Sequence, residues 1–223
     1  MKTILRLLLA AAAILMVYLS YDSVMQPIRF DQQKKVRERA VIQKLIDIRT
    51  AQIEYRSQKG IYSDNFEDLI AFIKNGKMPF VMKEGVLSDT QLEMGLTEVE
   101  AAKIVRSGNQ RLIKEKGLEN FRRDTTYVNL LDTLFAEGYN VDELDVVPYG
   151  NGAKFELQAG DVLTGSGILV RVFEAKVPYE TYLEGLDRQE VTNMILTAVK
   201  MEKYPGLRVG NIFEANNNAG NWE

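Results

Sequence analysis

Apolar and polar positions divide the chain into stretches of different period. From Leu7 to Tyr21 no charged residue occurs. With Ile4, Leu5 and Arg6, whose long stem can carry its charge to the headgroups, the run covers residues 4–21. A helix of that length extends about 27 Å, close to the hydrocarbon thickness of a bilayer. Tyr18 and Tyr21 fall where an aromatic belt sits. From Phe30 to Lys59 the period is helical: Val41, Leu45, Ile48 and Tyr55 share a face that Ile42, Ile46 and Ile53 widen. Pro27 predicts a kink or break between the two stretches, and Gly60 predicts a stop.

Beyond Gly60 the signals are shorter. Residues 61–65 read as a turn in which Ser63 or Asn65 caps a helix over 66–73, ended by Asn75-Gly76. Pro79 to Lys83 reads as a strand and residues 85–97 as an irregular excursion. Thr97 and Glu100 form a capping-box pattern ahead of a short helix reaching Val105. The charged, irregular residues 106–123 predict a mobile loop, and residues 125–135 fit strand or helix equally. From Leu144 the period becomes two. Leu144–Tyr149, Lys154–Ala159 and Ile168–Ala175, separated by glycine turns, predict an antiparallel meander. Asp187 predicts a cap for a helix from Arg188 to Lys203, with Val191, Ile195, Ala198 and Val199 inward and Pro205-Gly206 as the stop. The polar tail Asn216–Glu223 predicts a loosely held end. The pattern as a whole is α+β: an N-terminal transmembrane helix, a long amphipathic helix, then an antiparallel β-sheet with short helices. It divides into an anchor over 1–24, a stalk over 25–60 and a soluble domain over 61–223.

Two alternatives stay open at the N-terminus. Lys2 and Arg6 make a basic head of the kind that precedes a cleaved signal peptide. No A-x-A site follows the run, however, and a cut after Ser20 would set bulky Tyr18 at its third position upstream. A buried helix of a soluble protein is the other. Five basic residues, Arg29, Lys34, Lys35, Arg37 and Arg39, follow the span within 20 residues and two precede it. Charge counting alone would leave the C-terminal side inside, but long domains translocate largely regardless of it, and the expected placement is a cytoplasmic (inner) membrane protein with a periplasmic domain. The stalk's apolar face is expected to pack on the sheet; a coiled coil with another copy is the alternative, against which the width of the stripe argues.

Composition narrows the chemistry. The 223 residues contain no Cys and no His, which removes disulfide scaffolds, thiolate nucleophiles, Ser-His-Asp triads and imidazole ligands. Residues 1–60 carry eleven basic and five acidic side chains, residues 61–223 seventeen and twenty-six. A basic membrane-proximal part and an acidic domain are what such asymmetry implies, and they speak against nucleic acid as a partner.

The run Ile48-Arg49-Thr50-Ala51-Gln52 with Tyr55, followed by Gly60-Ile61-Tyr62 and Asp68-Leu69, resembles the segment after the membrane helix in type IV pilins and type II secretion pseudopilins. With the anchor it covers about a third of the chain. In that family the helix leads through a G-x-Y turn and a small helix into an antiparallel sheet, and the resemblance implies the same build here. It does not extend to the prepilin-peptidase site, because residues 1–21 contain neither a Gly nor an acid. The anchor, Pro27-Ile28-Arg29-Phe30 and the Asn217–Trp222 ending also look like single-pass envelope proteins of Bacteroidota, which implies a compartment and no activity.

No phosphate-binding, zincin or nucleophile-elbow motif is present. Asp142, Glu143 and Asp145 offer hard oxygen ligands for Ca²⁺, but a solvated turn is the expected reading. Glu54 with Asp68 is a carboxylate pair of the kind acid–base chemistry uses, though sequence spacing cannot bring the two together. Tyr55, Tyr62 and Phe66 suit either a stacking patch or a core cluster, the latter expected. The basic run Lys34–Arg39 is expected to be solvated stalk charge, with anionic lipid as the alternative. Trp222 is an anchor onto the domain or onto a partner. The expectation is therefore a non-enzymatic protein with no catalytic residue, metal or cofactor. It holds the bilayer through residues 4–21 and envelope proteins, or its own copies, through its domain. A structural or assembly subunit is expected first, a tethered binding module or adaptor second.

Overall fold

The computed structural model describes residues 2–223, with side chains at all of these except Lys2, Leu5, Leu8, Val81, Asp124 and Thr125. Met1 and the side chains of Lys2, Leu5 and Leu8, parts of the expected anchor, therefore lie outside the described set. The architecture is α+β. Its first element is a 58-residue helix, α1 (Lys2–Lys59), about 87 Å long at the standard rise. Of the kink or break expected at Pro27, the break does not occur: α1 runs through the proline. Proline costs the helix one backbone bond and some strain. On either side of it the domain grips the helix, for Gln26 donates to Asp187 and Phe30 is only 8% exposed.

Contacts divide the chain into two units, residues 1–72 with 139–223, and residues 73–138. In the first, Val41, Leu45, Ile48 and Ala51 of α1 are fully buried together with Phe173, Ala175 and Val209, so the centre of the stripe read from the sequence is the spine of the core, whereas Tyr55 is half-buried and Ile53, expected to widen the stripe, is exposed. Each fully buried aliphatic contributes about 1.5–3 kcal/mol. The sheet is antiparallel in the order β3–β4–β5, where β3 is Glu156–Leu163, β4 Leu169–Pro178 and β5 Gly206–Gly210. The expected strand at Leu144–Tyr149 is replaced by a 3₁₀ turn at Val141–Glu143 and one bridge, Val146 to Lys154; Pro148 and the left-handed Tyr149 (φ 62°) cannot extend a ladder. The third strand comes from beyond two helices, α7 (Tyr179–Tyr182) and α8 (Arg188–Lys200), the latter capped by Asp187 as the sequence predicts. Glycine lets β5 close on β4, since a Cβ at Gly210 would lie 2.1 Å from the Phe173 carbonyl oxygen.

The tail is not loosely held. Gly210 donates to Ala219 and Asn221 to Arg208 through their backbones, and the Asn221 amide donates to the Gly206 carbonyl. These backbone groups find partners only by folding back along β5, which a count of polar residues cannot show.

The helix α2 (Phe66–Asn75) leads from the first unit into the second; the Asn65 side chain accepts from the Asp68 amide at its start. The second unit is a two-stranded antiparallel ribbon, β1 (Lys77–Glu84) with β2 (Arg122–Asn129), in unbroken register from Lys77 opposite Asn129 to Glu84 opposite Arg122. Between the strands lie α3 (Asp89–Glu93), α4 (Glu98–Arg106) and α5 (Gln110–Glu115), and α6 (Leu130–Leu134) follows β2. The expected mobile loop at 106–123 is ordered instead: Asn109 caps α5, and Ile113, Leu118 and Phe121 join Leu87 and Ala101 in a buried cluster. Residues 125–135 are strand, then helix.

Candidate functional site

Among the described residues, α1 is the one helix long and apolar enough to cross a membrane. Leu7 and Ile14 are each 72% exposed, and Leu15, Met16, Val17, Leu19 and Val24 are exposed as well. An aliphatic run of this kind leaves water only by entering lipid or another protein. The same helix becomes the core of the first unit after Phe30, so one element carries a bare apolar half and a covered half.

The covered half is clamped by cations flanking the apolar stripe. Arg37 donates to the Tyr182 and Glu184 carbonyls at 3.0 and 2.8 Å. Lys44 donates to the Glu143 carbonyl at 3.0 Å, Arg49 to the Glu223 carboxylate at 2.6 Å and Arg56 to the Tyr62 hydroxyl at 3.0 Å. Three of the four also lie over tyrosine rings: Arg37 over Tyr149, Lys44 over Tyr139 and Arg56 over Tyr62, at 4.9–5.2 Å from the centroids. The Arg49 guanidinium holds the Glu223 carboxyl below the usual carboxylate range. Burial and the hydrogen bond to Asp47 push the Tyr139 hydroxyl up, so it stays a neutral donor to that carboxylate at 2.8 Å. Arg37 is thus not the solvated stalk charge expected of the run 34–39, while Lys34 and Lys35 pair with Asp31. The available signal was spacing: Arg37 and Lys44, and again Arg49 and Arg56, are seven residues apart, which sets one pair along each flank of the apolar stripe.

The remaining candidates take structural roles. Asp145 is buried and bonds Lys154 at 2.7 Å, so the acidic triple is not wholly a solvated turn. Among the described residues no group of three or more carboxylates is arranged to hold a metal ion. Glu54 accepts from Gln58 and Asp68 from Asn65, each within its own turn. Tyr55 packs edge-on against Phe72 and Tyr62 against Phe173, both at 4.9 Å, while Phe66 is half-buried at the head of α2. Trp222 stacks beneath Gly220, where a Cβ would lie 2.4 Å from the ring. Sequence reasoning missed Gln52, whose buried amide donates to the Ser63 carbonyl and accepts from its N–H. It also missed Glu174, 2% exposed between Lys176 and Arg208.

Among the cavities on the first unit, two border the sheet. One, of about 610 Å³, lies between α8 and β5 and is walled by Tyr179, Met194, Met201, Tyr204 and Arg208. Burial, then Glu156 and Glu174, push the Tyr204 hydroxyl up to about 12. The other, of about 300 Å³, is lined by Tyr55, Tyr62, Asp64, Asp161 and Arg171. No family model, curated protein or solved structure matches the chain.

Proposed function

We propose that this chain is a non-enzymatic, single-pass protein of the cytoplasmic (inner) membrane whose periplasmic domain is a structural or assembly subunit of a cell-envelope complex, pseudopilin-like in build. The observation that carries the reading is α1. One unbroken helix exposes apolar side chains from Leu9 to Tyr21 and, through Val41, Leu45, Ile48 and Ala51, supplies the fully buried spine of a folded unit. A helix shared in this way couples the position of the domain rigidly to the membrane, as a building block requires. The buried polar groups Gln52, Asp145 and Glu174 each hold other parts of the chain, which supports a scaffold over an active centre.

In-cell crosslinking of the full-length protein, detergent extraction and mass spectrometry test this. Ladders of the protein itself, or recovery with several envelope-assembly proteins, support the assembly reading. One unrelated envelope partner without ladders would replace it by the tethered adaptor. Recovery from the soluble fraction without detergent would sink both.

A further inference from the structure

We infer that the first unit is seated directly on the headgroup layer of the bilayer that α1 crosses, through the α7–α8 connection at Leu183–Arg188. The inference rests on residues 4–21 being the span. Gln26 lies five residues past Tyr21, about 7.5 Å along the helix. The headgroup layer on each side of a bilayer is about 5–8 Å deep. At that height the Gln26 amide donates to the carboxylate of Asp187, the N-cap of α8. Eleven residues further along, Arg37 holds the Tyr182 and Glu184 carbonyls. The connection is therefore tied to α1 at two heights, and its lower tie lies at the outer edge of the headgroups.

Side chains at that end suit the position. Arg188 is exposed and has no ion pair among the described residues, and a guanidinium at this height meets phosphodiester oxygens. Glu184 and Gly185 are exposed and Leu186 is half-buried. A stalk that lifted the unit clear of the membrane would leave α1 bare beyond residue 24. Here Gln26 to Arg29 are exposed, but Met25 is half-covered, Gln26 is tied to Asp187 and Phe30 is already buried. The other end of the unit faces away. Arg171 donates to the Gly60 carbonyl, so the β3–β4 hairpin, with Leu163 opposite Leu169 at its tip, lies at the far end of α1. Gly60 is 34 residues and about 50 Å from Gln26. The unit stands upright, base on lipid and hairpin tip outward.

The chain has no cysteine, so single-cysteine variants take one label. Arg188→Cys, Leu163→Cys and Ile14→Cys, each full-length and carrying an environment-sensitive fluorophore, would be placed in phosphatidylcholine–phosphatidylglycerol vesicles. These vesicles would be doped with lipid spin-labelled either at the headgroup or in mid-chain. The label at 188 is expected to be quenched by headgroup spin label about threefold or more above the label at 163, because the hairpin tip lies at the far end of α1, roughly 50 Å further along the helix. Equal quenching at 188 and 163, with residue 14 quenched from mid-chain, would overturn the seating and leave the span intact. Absence of mid-chain quenching at residue 14 would overturn the span itself. If Arg188→Cys does not fold, Glu184→Cys reports on the same connection.

Discussion

The two units of the chain are built on opposite plans. The first joins the beginning of the sequence to its end: α1 supplies the spine, and β5 with the tail closes the sheet. The second is made from 66 consecutive residues, with a cluster of five buried side chains and local helix caps. Thr97 and Glu100, like Ser88 and Gln91, form reciprocal capping boxes. Stability in the first unit comes from long-range burial. In the second, local hydrogen bonds carry a larger share, because a two-stranded ribbon with a small core buries little.

That contrast can be broken from either side. Phe173→Ala, in the fully buried centre of the first unit, is expected to cost about 3–5 kcal/mol. Denaturant unfolding with residue-resolved hydrogen exchange should show protection lost over α1 and the sheet and kept over α4 and α5; loss in both units would mean that they fold as one. Leu118→Ala is the mirror experiment, with about 2–4 kcal/mol expected and protection lost within residues 87–121 only. Gln52→Ala removes both partners of the Ser63 backbone and is expected to cost about 1–3 kcal/mol; a thermal midpoint equal to wild type would mean that water replaces the amide. Thr97→Ala should cost about 1 kcal/mol, read as faster exchange at the start of α4 alone.

The smallest effect is one of sign. Burial holds the Glu38 carboxyl above its ordinary value of 4.5. Its contribution to the first unit is therefore complete below that value and is lost as pH rises through the raised one. Glu98 of the second unit is held low by Arg123; its contribution is present above the ordinary value and lost as pH falls through the lowered one. Compared with Glu38→Gln, wild type should gain stability as pH falls toward 4.5. Compared with Glu98→Gln it should lose stability as pH falls below that. Parallel trends for the two variants would contradict this assignment.

Periodicity made the spine legible. The stripe Val41–Leu45–Ile48, the caps at Asn65, Thr97 and Asp187, and the hairpin of β3 and β4 were all open to reading, because each depends on neighbours a few residues away. The misread segments depend on partners far off. Pro27 stays helical because of Asp187 and the burial of Phe30, and the tail is ordered by β5 and Arg49. Residues 106–123 hid their order because Ile113, Leu118 and Phe121 are spaced by neither helix nor strand period across the segment. The clamps looked like solvated charge, since nothing local tells an arginine that will bond a carbonyl 145 residues away from one that will meet water.

The pairing of Arg49 with Glu223, separated by 174 positions, also sets an order in time. When residue 60 has left the ribosome, α1 holds half of a hydrophobic interior with nothing yet to cover it. At ordinary elongation rates of about 5–20 residues per second, roughly ten to thirty seconds pass before β5 and the tail exist. Residues 73–138 emerge within that interval with all their own partners present. Until the last strand is made, the apolar spine of α1 lacks the β5 and tail residues that cover it.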